Sequence, residues 1–202
     1  VAPEVVERCI EIATQAPTGS NLQGWSFAVV DDAQKRQQMA EIYRRAFSEY
    51  KQMMMDHTPT FDPDDVRVKL RPRIGESSVY LADHMQEAPV LVIPCIAGKM
   101  KEAPHLAELS KYESAFNAQT YGSILPAAWS LMLSLRARGL GSAWTTLHLM
   151  HEDEAAEVLD IPDDVTQVAL LPVAYFKGDN FKPAKRLPAR DLTYWNSWGR
   201  QR

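Results

Sequence analysis

The stretch Ala16-Pro17-Thr18-Gly19-Ser20-Asn21-Leu22-Gln23-Gly24-Trp25 separates two segments of different hydrophobic periodicity. Before it, Pro3 to Gln15 reads as a helix. Pro3 suits a first turn, Glu4 and Glu7 favour the positive end, and Val5, Val6, Cys9, Ile10 and Ala13 share one face. After it, Trp25 to Val30 reads as a strand closed by Asp31-Asp32. The stretch itself consists of turn formers and crowds hydroxyl, amide and glycine backbone donors into a few residues. Such a turn is either a self-satisfied helix-to-strand connection or a wrap around a polar planar or phosphorylated ligand.

Working outward, Gln34 to Met55 reads as a long helix, and His57 to Pro72, with three prolines, as an exposed excursion. Arg73 to Met85 reads as a helix leading into the apolar strand Pro89 to Ala97, and Gly98 to Lys111 as irregular. Ser114 to Arg138 reads as a second long helix, interrupted by Pro126. Its apolar positions, among them Ile124, Leu125, Ala128, Trp129 and Leu131, cover much of the circumference, so it is central to the fold or to an oligomer. Gly139 suits a left-handed stop. Ser142 to Leu147 reads as a strand, Glu152 to Leu159 as a helix and Val165 to Phe176 as a strand. A basic, aromatic arm follows from Lys177 to Arg202. Strands alternating with helices make this an α/β or α+β sandwich, expected to be a single domain over 1–202.

Of the 202 residues 46% are hydrophobic and 24% charged, which excludes a disordered chain. The net charge of −4 argues against a nucleic-acid-coating protein. The most apolar run, Val90 to Ala97, is too short to span a bilayer, so no membrane partner is expected. Cys9 and Cys95 lie far apart, and Cys95 reads as a buried thiol; a reducing, cytoplasmic location fits.

Three common site signatures are missing: GxGxxG after a first strand, a GxxxxGK[ST] phosphate loop and a GxSxG elbow. Ser48 to Lys51 reads as a solvated helix face, the Asp62, Asp64, Asp65 cluster as a solvated loop, and His148 and His151 as neighbours of a helix start. No metal is expected. Two further segments carry signal. Gly139-Leu140-Gly141-Ser142-Ala143-Trp144-Thr145-Thr146 allows close backbone approach and offers hydroxyl and amide donors, or is a helix cap before a strand. Lys182-Pro183-Ala184-Lys185-Arg186-Leu187-Pro188 gathers three cations, suiting a phosphate clamp or a solvated tail.

In this order the three segments resemble the FMN-dependent nitroreductase family: Ala-Pro-Thr-Gly-Ser-Asn-x-Gln-x-Trp, a central helix ending in Gly-Leu-Gly before Trp-Thr-Thr, and an Arg-Leu-Pro tail. The resemblance runs from Ala2 to about Trp198 and implies an α+β fold, a three-layer α/β/α sandwich. Its sheet would be mixed and mostly antiparallel, with helices on both faces. It implies FMN contacts at Pro17, Thr18, Gly19, Ser20 and Asn21, reaching flavin held mainly by the partner subunit of a homodimer. It implies Trp144, Thr145 and Thr146 beside the ring, and Arg186 with Lys185 at the phosphate. The helix from Ser114 would form the dimer core, with the Trp195/Trp198 tail wrapping the partner.

The activity implied is ping-pong hydride transfer from NAD(P)H to a small-molecule acceptor such as a nitroaromatic or quinone. The flavin carries the chemistry, so no side chain is expected to be catalytic. The alternatives are a relative doing reductive dehalogenation or flavin breakdown, and a flavin-binding carrier or sensor without turnover. The 54–72 excursion matches no general family pattern, and residues Phe47 to Arg73 are expected to help cover the pocket and set substrate choice. The family's short Arg-x-Ser-x-Arg segment would precede Val1, and an upstream piece is therefore expected to be missing here.

Overall fold

A computed structural model of the chain describes residues 1–55, 59–98, 110–178 and 181–202. Its helices are α1 (Pro3–Ala13), α2 (Ala33–Met55), α3 (Val66–His84), α4 (Glu113–Arg136) and α5 (Glu152–Leu159). Its strands are β1 (Trp25–Val30), β2 (Val90–Ala97), β3 (Leu140–Ser142), β4 (Val165–Gln167) and β5 (Leu171–Tyr175).

The fold is organised around β2, whose eight residues are all apolar and all buried except Ala97. An uninterrupted apolar strand needs cover on both faces, and alternate residues find it. Val90 and Val92 pack with Val6, Cys9, Leu131 and Leu135 from α1 and α4. Leu91, Ile93 and Cys95 pack with Met39, Tyr43, Ala82, Met85 and Ala155 from α2, α3 and the segments beyond them. The two cysteines are therefore both buried, on opposite faces of the sheet. This is the three-layer sandwich that the sequence led us to expect. Each fully buried Leu or Ile here contributes about 2 kcal/mol.

Strand order is β1-β2-β5-β3, with β4 pairing β2 beyond the end of β5, and every pairing among the described strands is antiparallel. The single strand expected from Val165 to Phe176 is broken in two. From Val92↔Leu171 to Cys95↔Gln167, three steps along β2 face four along its partner, a bulge at Val168–Leu170. The cause is Pro94: it sits in a central strand and has no N–H to offer. Its carbonyl still accepts from Val168 N–H at 3.0 Å, while the N–H and carbonyl of Leu170 turn to Thr145. The expected strand from Ser142 to Leu147 shrinks correspondingly. Regular pairing covers Leu140 to Ser142, and the same register reappears once, at Thr145↔Leu170. A 3-10 turn, Leu147–His151, follows.

Two further boundaries differ from expectation. Helix α3 starts at Val66, inside the presumed excursion, because Asp65 caps it: its carboxylate accepts from Arg67 N–H at 2.7 Å. The Arg67 guanidinium, which also bonds this carboxylate, and then that N–H contact hold the Asp65 carboxyl at about 2. Pro72 is carried within α3 and Pro126 within α4, so neither ends its helix. Gly122 occupies the position four residues before Pro126, where a proline ring crowds the helix. Most of the irregular Gly98–Lys111 segment and the start of the excursion lie outside the described residues. Among the described residues no helix is long and apolar enough to cross a membrane.

Candidate functional site

The turn after α1 is conformationally costly. Ser20, Asn21 and Gln23 all adopt left-handed backbone angles, with φ of 51°, 54° and 50°. For residues with a Cβ each such conformation costs roughly 1 kcal/mol, and such outliers gather where structure serves a site. Thr18 holds the turn together: its carbonyl accepts from Asn21 N–H and its hydroxyl from Gln23 N–H, both at 3.1 Å. Leu22 N–H returns to Gly19 at 3.1 Å, and Gly19 N–H donates to the Ser123 hydroxyl of α4 at 3.0 Å. The amides at 19, 21, 22 and 23 are thus spoken for, while the side chains of Pro17, Ser20 and Asn21 stand exposed.

Trp144, Thr145 and Thr146 divide by the bulge. Thr145 is buried, with its N–H and carbonyl paired to Leu170 and its hydroxyl donating to the Tyr43 hydroxyl at 3.1 Å. Burial pushes the Tyr43 phenol up, and the Thr145 bond partly offsets that. Trp144 and Thr146, on either side, are exposed. Lys185 and Arg186 lie on an arm in which nearly every residue is exposed; Arg186 Nη1 reaches only the Lys185 carbonyl, at 3.0 Å.

Between the last two segments lies a cleft of about 430 Å³. Its floor is Gly141, Ala143 and Ala174, small residues that leave the sheet's backbone open. Tyr80 and His84 of α3 form one wall, with rings 4.2 Å apart, and Phe181 of the arm forms another. Phe181 is seated 5.0 Å from Phe176, under the Arg136 guanidinium, and its ring lies 3.2 Å from where a Cβ on Gly141 would stand. His84 is oriented by Glu87, whose carboxylate lies 2.8 Å from Nδ1. The cleft is lined by Gly141, Ser142 and Ala143 of the second segment singled out in the sequence and by Phe181, the residue before Lys182 of the third. The first, the turn after α1, does not line it. That turn leads into Trp25, which pairs with Ile96 at the far end of β2, whereas the cleft's Pro172 pairs with Leu91 near the start of β2.

Sequence reasoning missed Tyr80, His84 and Phe181. Nothing local marks them; α3 had to be placed against β3 first. The two histidines weighed for metal binding part company. His148 is fully buried, neither ring nitrogen has a partner among the described residues, and burial lowers its pKa to about 4. His151 sits with Nε2 3.1 Å from both Glu49 oxygens and Nδ1 3.4 Å from Glu154. Among the described residues no three His, Cys, Asp or Glu side chains converge as metal ligands.

The Nitroreductase family's sequence model matches residues 1–175. The chain belongs to the Nitroreductase family. Two relatives in the family are iodotyrosine deiodinases. That of Thermotoga neapolitana is 26% identical over 82% of this chain and 73% of its own length. That of Drosophila melanogaster is 27% identical over 86% of this chain, which spans about half (54%) of the fly protein. The fold matches several solved structures. A BluB-like flavoprotein of Clostridium difficile 630 superposes with a TM-score of 0.69 at 20% identity, over 98% of this chain and 90% of that one. Oxidised iodotyrosine deiodinase bound to FMN and 3-iodo-L-tyrosine gives 0.65 at 21% identity, over 96% and 90%. The FMN and NADPH-dependent nitroreductase NfnB of a Sphigopyxis strain gives 0.61 at 20%, over 98% and 91%.

Proposed function

We propose that this chain binds FMN in the cleft beside β3 and works as an NAD(P)H-dependent oxidoreductase on a small electrophilic acceptor. The observation that carries the reading is the cleft itself: a slot walled by Tyr80, Phe176 and Phe181, floored by Gly141, Ala143 and Ala174 just before Trp144–Thr146, with Lys177 in its lining. A flat ring system suits that aromatic-walled slot and Lys177 offers a cation to a phosphorylated chain, so the residues present fit the group. FMN when bound supplies the hydride-accepting and hydride-donating chemistry.

The chain's own residues have separable tasks. Tyr80 and Phe181 flank the ring and exclude water from its face. The Thr146 hydroxyl and amide offer donors to the ring's polar edge. Glu87 keeps His84 Nδ1 engaged, so Nε2 is the atom left to hold or release a proton toward the cleft. Lys185 and Arg186 take the phosphate, Arg186 through its bidentate fork.

The turn at Pro17–Asn21 completes the site from a second copy. It stands away from its own cleft, and α4 carries an exposed stripe of Tyr121, Leu125, Trp129 and Leu133 at four-residue spacing, with Trp129 55% exposed. A stripe of that kind on the longest helix suits a twofold interface. Trp129→Glu is expected to yield a monomer by light scattering with reduced flavin content; a dimer of unchanged flavin content overturns the arrangement.

The deciding experiment is a visible spectrum of the desalted protein before and after adding FMN, followed by anaerobic NAD(P)H. Retained flavin bands that bleach establish the reading, and no retained flavin sinks it. Flavin that is retained but not reduced leaves a carrier or sensor. The deiodinase relatives favour one specific second reading, reductive dehalogenation in the same cleft. Release of iodide from an iodophenol by the reduced protein, without turnover of a nitroaromatic, would select it.

A further inference from the structure

We infer that Ser123 and Gln119 of α4 form a latch that positions the Gly19–Gln23 turn for its cofactor contact. The inference rests on the flavin reading above and deepens it. Three observations converge. First, Ser123 is nearly sealed, at 5% exposure, and its hydroxyl does two things at once: it accepts from Gly19 N–H at 3.0 Å and donates to the Gln119 carbonyl at 2.6 Å. Second, the Gln119 side chain occupies the space that a Cβ on Gly19 would need. Its Cγ lies 2.3 Å and its Cδ 2.8 Å from that point. Gly19 itself has no left-handed φ, so the requirement for glycine there comes from Gln119 and from nothing in the backbone. Third, the residues directly after the latch are the left-handed ones, Ser20, Asn21 and Gln23.

The turn therefore does not set its own conformation. One hydrogen bond and one steric stop from α4 hold Gly19, Thr18 closes the loop behind it, and Ser20 and Asn21 are driven outward in a strained backbone. Ser123 and Gln119 are positioning residues, since neither needs to touch the cofactor. Because the turn completes the site of the second copy, the latch of one protomer tunes the flavin of the other. The helix that carries the exposed apolar stripe also carries the latch, on positions interleaved with it.

The test uses the full chain and compares wild type, Gly19→Ala, Gln119→Ala, the double variant, Ser123→Ala and Ser123→Thr. FMN affinity is read by the quenching of flavin fluorescence, subunit mass by light scattering, and the exchange of the Thr18–Gly24 amides by mass spectrometry. Gly19→Ala is expected to weaken FMN binding about tenfold, and Gln119→Ala, which clears the space, to restore the double variant to within about twofold of wild type. Ser123→Ala is expected to weaken FMN about fivefold and to speed exchange at Gly19, with Ser123→Thr rescuing both, while the subunit mass stays constant throughout. Wild-type affinity in Gly19→Ala or Ser123→Ala, or a double variant no better than Gly19→Ala, overturns the latch while leaving the flavin reading in place. A wild-type protein that takes up no FMN overturns the flavin reading instead, and the latch's functional role with it.

Discussion

The turn at Thr18–Gln23 and the arm at Phe181–Arg202 are both polar connections expected to serve one cofactor, yet they are built in opposite ways. The turn is strained and held: its amides are paired, and α4 grips it 104 residues away in sequence through Ser123. The arm is relaxed and loose. Beyond Phe181 it touches mainly itself, through Trp195 N–H to the Arg200 carbonyl, Tyr194 against Trp198, and Arg202 over Trp195. Trp198 is 90% exposed. One region has met its ordering cost in folding, and on the proposed function the other meets it on binding. If both segments serve one site, as proposed, preorganisation and capture are divided between them.

That contrast can be pushed hardest with acid. The folded core on the α2 side holds His148, which burial keeps neutral with a pKa of about 4. The unfolded chain takes up a proton below pH 6.5 and the folded chain only near 4. Stability is therefore complete above 6.5, falls as pH drops through that window, and levels off below 4. The window is worth about 3 kcal/mol. Urea unfolding at pH 7.5 and pH 4 should show that loss, and His148→Leu should remove it; an unchanged difference in the variant would discard the assignment.

Next in size is the arm's own test. Arg186→Ala should weaken FMN by about 1.5–3 kcal/mol, roughly 10- to 150-fold, while leaving the unfolding midpoint where it was. An equal loss of stability would mean that the arm is part of the folded core after all. On the held side, Thr145→Val removes the bond to Tyr43 from a buried pair and should cost about 1 kcal/mol of stability. Flavin affinity should barely change, because the backbone of Thr145 is already committed to Leu170. The smallest effect has the opposite sign: Ser20→Gly relieves a left-handed Cβ and should raise stability by about 0.5 kcal/mol, read as a higher urea midpoint. A lower midpoint would show that the strain assigned to Ser20 is absent.

Local chemistry made much of this legible. The helix, turn and strand around Ala16–Trp25 follow from composition, and the uninterrupted apolar run of β2 could only be covered on both sides. The three polar segments stood out because their residue types are expensive anywhere but a turn, a cap or a site. What escaped was everything decided by a neighbour distant in sequence. Nothing near Thr145 says that its hydroxyl turns inward to Tyr43 while Thr146 stays out, since Pro94 and the bulge opposite it make that choice. Asp65 as the cap of α3 was obscured by the two prolines that flank it at 63 and 72. Tyr80 and His84 looked like ordinary helix residues until α3 was set against β3.

Pro94 has a consequence for anyone who rebuilds this chain. The extra residue opposite it resets the inside–outside parity of the strand, so Gln167 faces the α2 side with Cys95 although Leu171 faces the α1 side with Val92. A loop transplanted from another protein into 165–175 will keep its apolar residues in the core only if it brings the same surplus residue. A one-residue deletion at 168–170 would invert half a strand rather than shorten it, and give Thr145 nothing to hold.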